Sequence, residues 1–221
     1  MVIVLMKRRV VLLGAPGSGK GTVAQLLEEK FQLEHISTGQ WFRREMKEET
    51  ELGNQAAQYI VRGELVPDEL VLGLIEQWLS PEMIKRGYLM DGFPRTRAQA
   101  EALDRFCAER AAPLEVVLFL DCPEEVILDR ITGRRVCLSC GKVYHVRTFP
   151  PRSAGICDVC GSPLTQRTDD TEEVVKNRLL FYQEVTEPLV DYYRESDKLV
   201  TLNAGLGSEA AYARAAEVLA S

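Results

Sequence analysis

Gly14-Ala15-Pro16-Gly17-Ser18-Gly19-Lys20-Gly21-Thr22 follows the apolar run at residues 10–13 and precedes a helical pattern at residues 21–30. The chain therefore opens as strand, glycine-rich loop and helix. Glycines let the backbone curl so that successive N–H groups point inward at phosphate oxygens, and the helix behind aims the positive end of its dipole at the same anion. The stretch reads as a loop for a nucleoside triphosphate. Lys20 would reach the β and γ phosphates, and Thr22 would place a hydroxyl on Mg²⁺. The general motif has Ser or Thr directly after the lysine, whereas Gly21 intervenes here. A glycine turn without a ligand is the competing reading, and the coincidence of strand, glycine spacing, lysine and helix argues against it.

Working outward, residues 88–90, 116–120 and 198–202 repeat the short, branched apolar pattern of buried parallel strands. Helical stretches at residues 67–79, 96–110, 123–132 and 171–195 alternate with them. This order predicts an α/β fold, a phosphate-loop parallel sheet covered by helices. Residues 40–66 also look helical and would form a small cap outside the sheet. Residues 134–167 hold four cysteines and no long amphipathic period, so they read as an inserted β-rich module.

The chain has 221 residues and a formal net charge of −6, enough length for one α/β domain with insertions. The acidic balance argues against a nonspecific nucleic-acid partner, which requires a basic field, although 27 Lys and Arg can still line a cleft for small anions. Residues 1–6 are apolar, but Lys7-Arg8-Arg9 follows them, the reverse of a secretory signal. The segment is also too short to span a bilayer and reads as a lead-in to the first strand, with Met1 and Met6 both open as starts. A cytoplasmic protein with reduced thiols and no membrane partner is expected.

Cys137-Leu138-Ser139-Cys140 and Cys157-Asp158-Val159-Cys160 are two Cys-x-x-Cys knuckles sixteen residues apart, each followed by a glycine. That is the spacing of a tetrahedral zinc site, and four thiolates leave no open position, so the metal would be structural. Disulfides are the competing pairing, disfavoured by a reducing compartment. His145 lies between the knuckles and is expected to be a packed or exposed histidine, with Cys107 and Cys122 as small core residues. Zinc ribbons also dock nucleic acid; on that reading Arg134, Arg135, Lys142, Arg147, Arg152 and Arg167 would form the face. The acidic chain and the phosphate loop count against it.

A second anion site is written in arginines. Ser37-Thr38-Gly39 is a helix-cap signal, with Arg43 one turn beyond. Asp91-Gly92-Phe93-Pro94-Arg95 follows a strand and so falls at the carboxyl edge of the sheet, where open α/β folds bind ligands. Asp91 would orient Mg²⁺ through water. Arg130, Arg134, Arg167 and Arg178 flank the cysteine module, and guanidinium forks suit both phosphate binding and stabilisation of a transferring phosphoryl group.

These motifs are collinear with those of the adenylate kinase family, and over residues 8–203 the chain resembles its long form with a zinc-bearing lid. The resemblance rests on residues 14–22, on Ser37-Thr38-Gly39 with Arg43, and on Gly63-Glu64-Leu65-Val66-Pro67-Asp68. It rests further on residues 91–95 with Gln99, on Gly133-Arg134-Arg135, and on Arg167-Thr168-Asp169-Asp170 with Arg178. It implies reversible phosphoryl transfer from Mg-ATP to AMP, giving two ADP, by a monomer. The implied domains are a core at residues 1–36, 67–132 and 171–221, an AMP-binding insert at 37–66 and a zinc-binding lid at 133–170 that closes over ATP.

By the same resemblance ATP would meet Gly17, Ser18, Gly19, Lys20, Gly21 and Thr22 of the phosphate loop, Arg130, Arg134, the backbone at Val143 and Tyr144, and Gly207. AMP would meet Thr38, Arg43, Glu64, Leu65, Val66, Gly92, Phe93, Pro94, Arg95 and Gln99, with Arg167 and Arg178 between the nucleotides. Lys20, Arg95, Arg130, Arg134, Arg167 and Arg178 form the implied catalytic set. Gln99 offers both a donor and an acceptor to the adenine edge. Gln40 stands where the family often has an aspartate, Phe149 where an asparagine is common, and residues 203–207 match its adenine-side loop only loosely. Another nucleoside monophosphate kinase is the sister reading, and a nucleotide-gated zinc-ribbon binding protein the reading from a different class.

Overall fold

The computed structural model describes residues 6–221, so the lead-in read at residues 1–5 lies outside the described residues. The first half of the chain runs β1 (Arg9–Gly14), α1 (Lys20–Phe31), β2 (Glu34–Ser37), α2 (Thr38–Lys47), α3 (Glu51–Ile60), α4 (Asp68–Trp78), α5 (Pro81–Arg86), β3 (Tyr88–Asp91) and α6 (Arg97–Glu109). It continues with β4 (Val116–Asp121), α7 (Glu124–Thr132), β5 (Arg134–Cys137), β6 (Val143–His145), β7 (Leu164–Thr165), α8 (Glu172–Phe181), α9 (Leu189–Glu195), β8 (Leu199–Asn203) and α10 (Ser208–Leu219).

Five strands form one parallel sheet in the order β2-β3-β1-β4-β8. Alternation along the strands sends side chains to opposite faces. Val11, Leu13, Met90 and Val117 join one core with α4, α6 and α9, while Val10, Leu12, Leu89 and Leu118 join another with α1 and α10. Because helices cover both faces, the inner strands read as continuous apolar runs.

Two excursions leave this sheet. The first is the pair α2 and α3, whose starts are fixed by Ser37 Oγ accepting from Gln40 N and Thr50 Oγ1 accepting from Gly53 N. Gly53 lies so close under Glu45 that a Cβ there would stand 2.2 Å from the Glu45 carbonyl oxygen. The second is an antiparallel sheet of order β6-β5-β7, the β-rich module expected between residues 134 and 167.

The expected helix at residues 171–195 is broken. A π turn at Tyr182–Thr186 separates α8 from α9, and Pro188, which lacks an N–H, caps the second piece. Three elements had no expectation: β2, α5 and α10. Among the described residues no helix is long and apolar enough to cross a membrane.

Candidate active site

The loop between β1 and α1 is shaped by positions that exclude a side chain. A Cβ on Gly14 would stand 2.7 Å from Leu120 O, and one on Gly17, at φ +79°, would stand 2.6 Å from the Ile131 side chain. Gly19 adopts φ 101° at the start of α1, and no side chain caps that helix, which leaves the positive end of its dipole open to an anion. Lys20 Nζ donates to Gly14 O at 2.6 Å and Ala15 O at 2.8 Å. Burial pushes its pKa down to about 8; Asp91 opposes the shift, while Arg95, Arg178 and Arg134 add to it.

Asp91 ends β3, and its Oδ2 lies 3.6 Å from where a Cβ on Gly21 would stand, directly across from the start of α1. Burial works against its charge, yet His35, Lys20 and Arg95 hold the carboxyl below its ordinary range. His35 Nε2 lies 3.9 Å from Asp91 Oδ2 and has no hydrogen-bond partner, and its Nδ1 lies 3.5 Å from Glu28 Oε2.

Beside this loop is a cleft whose lining includes Thr38, Arg43, Glu64, Leu65, Val66, Gly92, Arg95, Gln99 and Arg178. Most of the second site read from sequence thus converges on one cavity. Thr38 Oγ1 donates to Gly92 O, and Arg95 Nε donates to the same carbonyl, tying the start of α2 to the end of β3. Phe93 and Pro94 are buried and joined by a cis peptide bond; the Phe93 side chain belongs to the core, and neither residue lines the cleft, unlike Gly92 and Arg95 on either side of them.

The arginines crowd one another. Burial lowers the pKa of Arg95 to about 10, with Arg178 adding to the shift, and that of Arg167 to about 9, with Arg43 and Arg134 adding. Arg43 and Arg178 are lowered by burial too, opposed by Asp169. Two buried carboxylates answer this charge. Asp170, fully buried, takes Arg134 in a two-point pair at 2.8 and 2.5 Å, and Asp169 accepts from Arg178 at 3.0 Å. The sequence motif contained both aspartates, but nothing in it assigned them a partner.

On the other side of the loop, Arg130 bridges it to the segment before α10, donating to Ser18 O at 3.4 Å and Ala204 O at 2.9 Å. Gly207, at φ 114°, immediately precedes α10 and donates to Ala204 O. Val143 is exposed on β6, and Tyr144 beside it is buried. Cys107 is a core residue as read, whereas Cys122 is half-buried, its Sγ 3.4 Å from Arg130 Nη1.

In the β-rich module the four Sγ atoms of Cys137, Cys140, Cys157 and Cys160 lie within 4.8 Å of one another. The pairs Cys137–Cys160 and Cys140–Cys157 stand at 3.4 and 3.5 Å. Tetrahedral zinc with Zn–S bonds of about 2.3 Å needs sulfurs about 3.8 Å apart, so the cluster fits that ion. The two knuckles are built alike: Gly141 N donates to Cys137 O and Gly161 N to Cys157 O, with both glycines at positive φ. Tyr144 braces the second knuckle, its hydroxyl accepting from Asp158 N at 2.8 Å and lying 3.6 Å from Cys157 Sγ. His145 is packed elsewhere, with Nε2 3.1 Å from Asp129 O.

Residues 12–198 match the sequence model of a family described as Adenylate kinase. The chain is 50% identical over 195 residues to a protein of Clostridium novyi (strain NT) named Adenylate kinase, covering 88% of this chain and 90% of that one. It is 51% identical over 192 residues to a protein of the same name from Caldicellulosiruptor bescii, covering 87% and 89%. A Clostridium botulinum (strain 657 / Type Ba4) protein of that name is 51% identical over 195 residues, with 88% and 90% covered.

Proposed function

The chain belongs to the adenylate kinase family, and from that premise we propose that it transfers a phosphoryl group reversibly between ATP and AMP, giving two ADP. One observation carries the assignment of roles. Arg43, Arg95, Arg134, Arg167 and Arg178 come from separate parts of the chain, yet their charges act on one another beside the phosphate loop. Such a concentration of buried positive charge is costly unless anions fill it. Two nucleotides end to end supply them.

On this reading the loop N–H groups, Lys20, Arg130 and Arg134 hold the ATP phosphates, and the backbones at Val143, Tyr144 and Gly207 border its base. Thr38, Arg43, Arg95 and Gln99, with the backbones at residues 64–66 and 92–94, hold AMP. Arg167 and Arg178 bear on the group in flight. The transition state spreads charge over the equatorial oxygens, so fixed guanidinium groups stabilise it without reorganising, and no covalent enzyme intermediate is needed. The domain division read from sequence assigns the parts: residues 133–170 exclude water that would otherwise accept the phosphoryl group, and residues 37–66 hold the acceptor. Thr22, through its hydroxyl, and Asp91, through water, are the residues that would hold Mg²⁺, and the ion would supply further countercharge to the phosphates. Zinc on the four cysteines would make the lid rigid. A monomer in the cytoplasm suits this chemistry, since a reducing compartment keeps the four thiols available as ligands.

The test is a coupled assay of ADP formation from ATP and Mg²⁺ with AMP, GMP, CMP or UMP. Turnover confined to AMP is expected, with Arg95→Ala and Arg134→Ala slowed by at least about a hundredfold per folded molecule. Unchanged rates in both variants would overturn the roles given to these arginines.

A further inference from the structure

Gln99 is only 2% exposed, and both ends of its amide are already engaged by protein. Its Oε1 accepts from the Arg95 backbone N–H at 2.7 Å, and its Nε2 donates to Asp68 Oδ1 at 2.7 Å. These partners dictate which end is which, because a backbone N–H requires the oxygen and a carboxylate requires the nitrogen. The other oxygen of Asp68 accepts from Thr96 Oγ1 at 2.7 Å, and that hydroxyl in turn caps α6 by accepting from Gln99 N at 3.2 Å. Asp68 itself is fixed at the first position of α4. The amide therefore sits in a closed ring of hydrogen bonds built from three elements.

An amide has two N–H donors and two lone pairs, so one of each is left over at Gln99. Gln99 lines the cleft, and Asp68 is not among the lining residues. A 6-aminopurine shows a donor at the 6-position and an acceptor at N1, while a 6-oxopurine shows the reverse. A glutamine free to rotate by half a turn satisfies either. Here a flipped amide would set N–H against the Arg95 N–H and oxygen against the Asp68 carboxylate.

We propose that Asp68 is a specificity-determining positioning residue, which with the Arg95 N–H locks Gln99 in the one orientation that accepts a 6-aminopurine monophosphate and opposes a 6-oxopurine one. The inference rests on the reading of Gln99 as the residue that meets the acceptor base. Asp68 touches neither nucleotide; it acts through the amide. A site of this kind discriminates because the wrong base leaves buried polar groups unpaired.

The test compares kcat/KM for AMP with that for inosine monophosphate, which has the 6-oxo pattern without a 2-amino group. Asp68→Asn keeps the shape and the Thr96 contact, and its own amide turns to donate to a flipped Gln99. The AMP to IMP ratio is expected to fall about tenfold or more, chiefly by a gain in kcat/KM for IMP. Asp68→Ser, which removes the carboxylate but keeps a hydroxyl at the start of α4, gives the same direction should the first variant fold poorly. Loss of activity toward AMP and IMP alike, or an unchanged ratio, would overturn the proposal if Gln99→Ala abolishes the preference. A preference that survives Gln99→Ala would overturn the reading of Gln99 itself, and the lock with it.

Discussion

The Lys20 ammonium rests on two loop carbonyls with guanidinium groups nearby, and burial brings its pKa from 10.5 to about 8. Below pH 8 the amine is charged in folded and unfolded chains alike, so the whole penalty, at most about 3 kcal/mol, weighs on the folded state. Between about pH 8 and 10.5 the folded chain gives up a proton that the unfolded chain keeps. Stability of the ligand-free protein therefore rises across that window. In Lys20→Met this rise is absent, so urea titrations at pH 7 and pH 10 should show wild type gaining on the variant by one to three kcal/mol, about the size of the penalty. A constant difference between the two proteins would show that the burial cost is not carried by this amine. Turnover of Lys20→Met should fall by about two orders of magnitude or more at pH 7, because a charge aimed at the transferring group is gone.

At the scale of elements, the sequence disclosed those parts whose chemistry is local. Glycine spacing gave the loop, branched apolar runs gave β1, β3, β4 and β8, and paired cysteines gave the four-thiol cluster. The edge strand β2 escaped because Glu34, His35 and Ser37 surround a single buried Ile36. Helix α10 escaped because three of its five buried residues are alanines, too small to mark an apolar face. The ring joining Asp68, Thr96, Gln99 and Arg95 spans two helices and the turn between β3 and α6, so no local pattern encodes it. Gly53 illustrates the same limit, since its need to be glycine comes from the Glu45 backbone of the preceding helix. Gly53→Ala is expected to cost about 1–3 kcal/mol and to raise KM for AMP more than KM for ATP, measured by denaturation and initial rates. Equal changes in both KM values would mean that α2 and α3 do not serve the acceptor alone. The lid has a different support. Its small sheet leaves Leu138, Val143, Phe149 and Val159 exposed and encloses a core of Cys137, Tyr144 and Cys157, so a metal on the four thiols would replace the missing apolar burial. Metal analysis should find one zinc per chain. Its removal by a chelator should speed amide hydrogen exchange in β5, β6 and β7 while leaving β1 and β4 protected. Uniform acceleration in both sheets would contradict a metal that stabilises the lid alone.

Over the whole molecule, a chain of net charge −6 gathers a group of arginines into its interior, where Asp169 and Asp170 are the protein's own counterions. Asp170 joins Arg134, at the start of β5, to the segment leading into α8, so it would couple the position of a closing lid to charge balance. On the proposed function, nucleotide phosphates would compete with it for Arg134. Asp170→Asn leaves Arg134 and Arg178 facing each other without their shared anion, and loss of one partner from a buried pair costs about 3–5 kcal/mol. Added ATP should restore a larger share of stability to the variant than to wild type, because its phosphates replace the missing negative charge. By linkage this requires tighter ATP binding in the variant, read as a larger rise in melting temperature at equal nucleotide concentration. Equal rises in the two proteins would show that Asp170 only anchors the lid. A larger rise in the variant would show that the empty protein balances its cationic site with the same charge that the substrate brings when it binds.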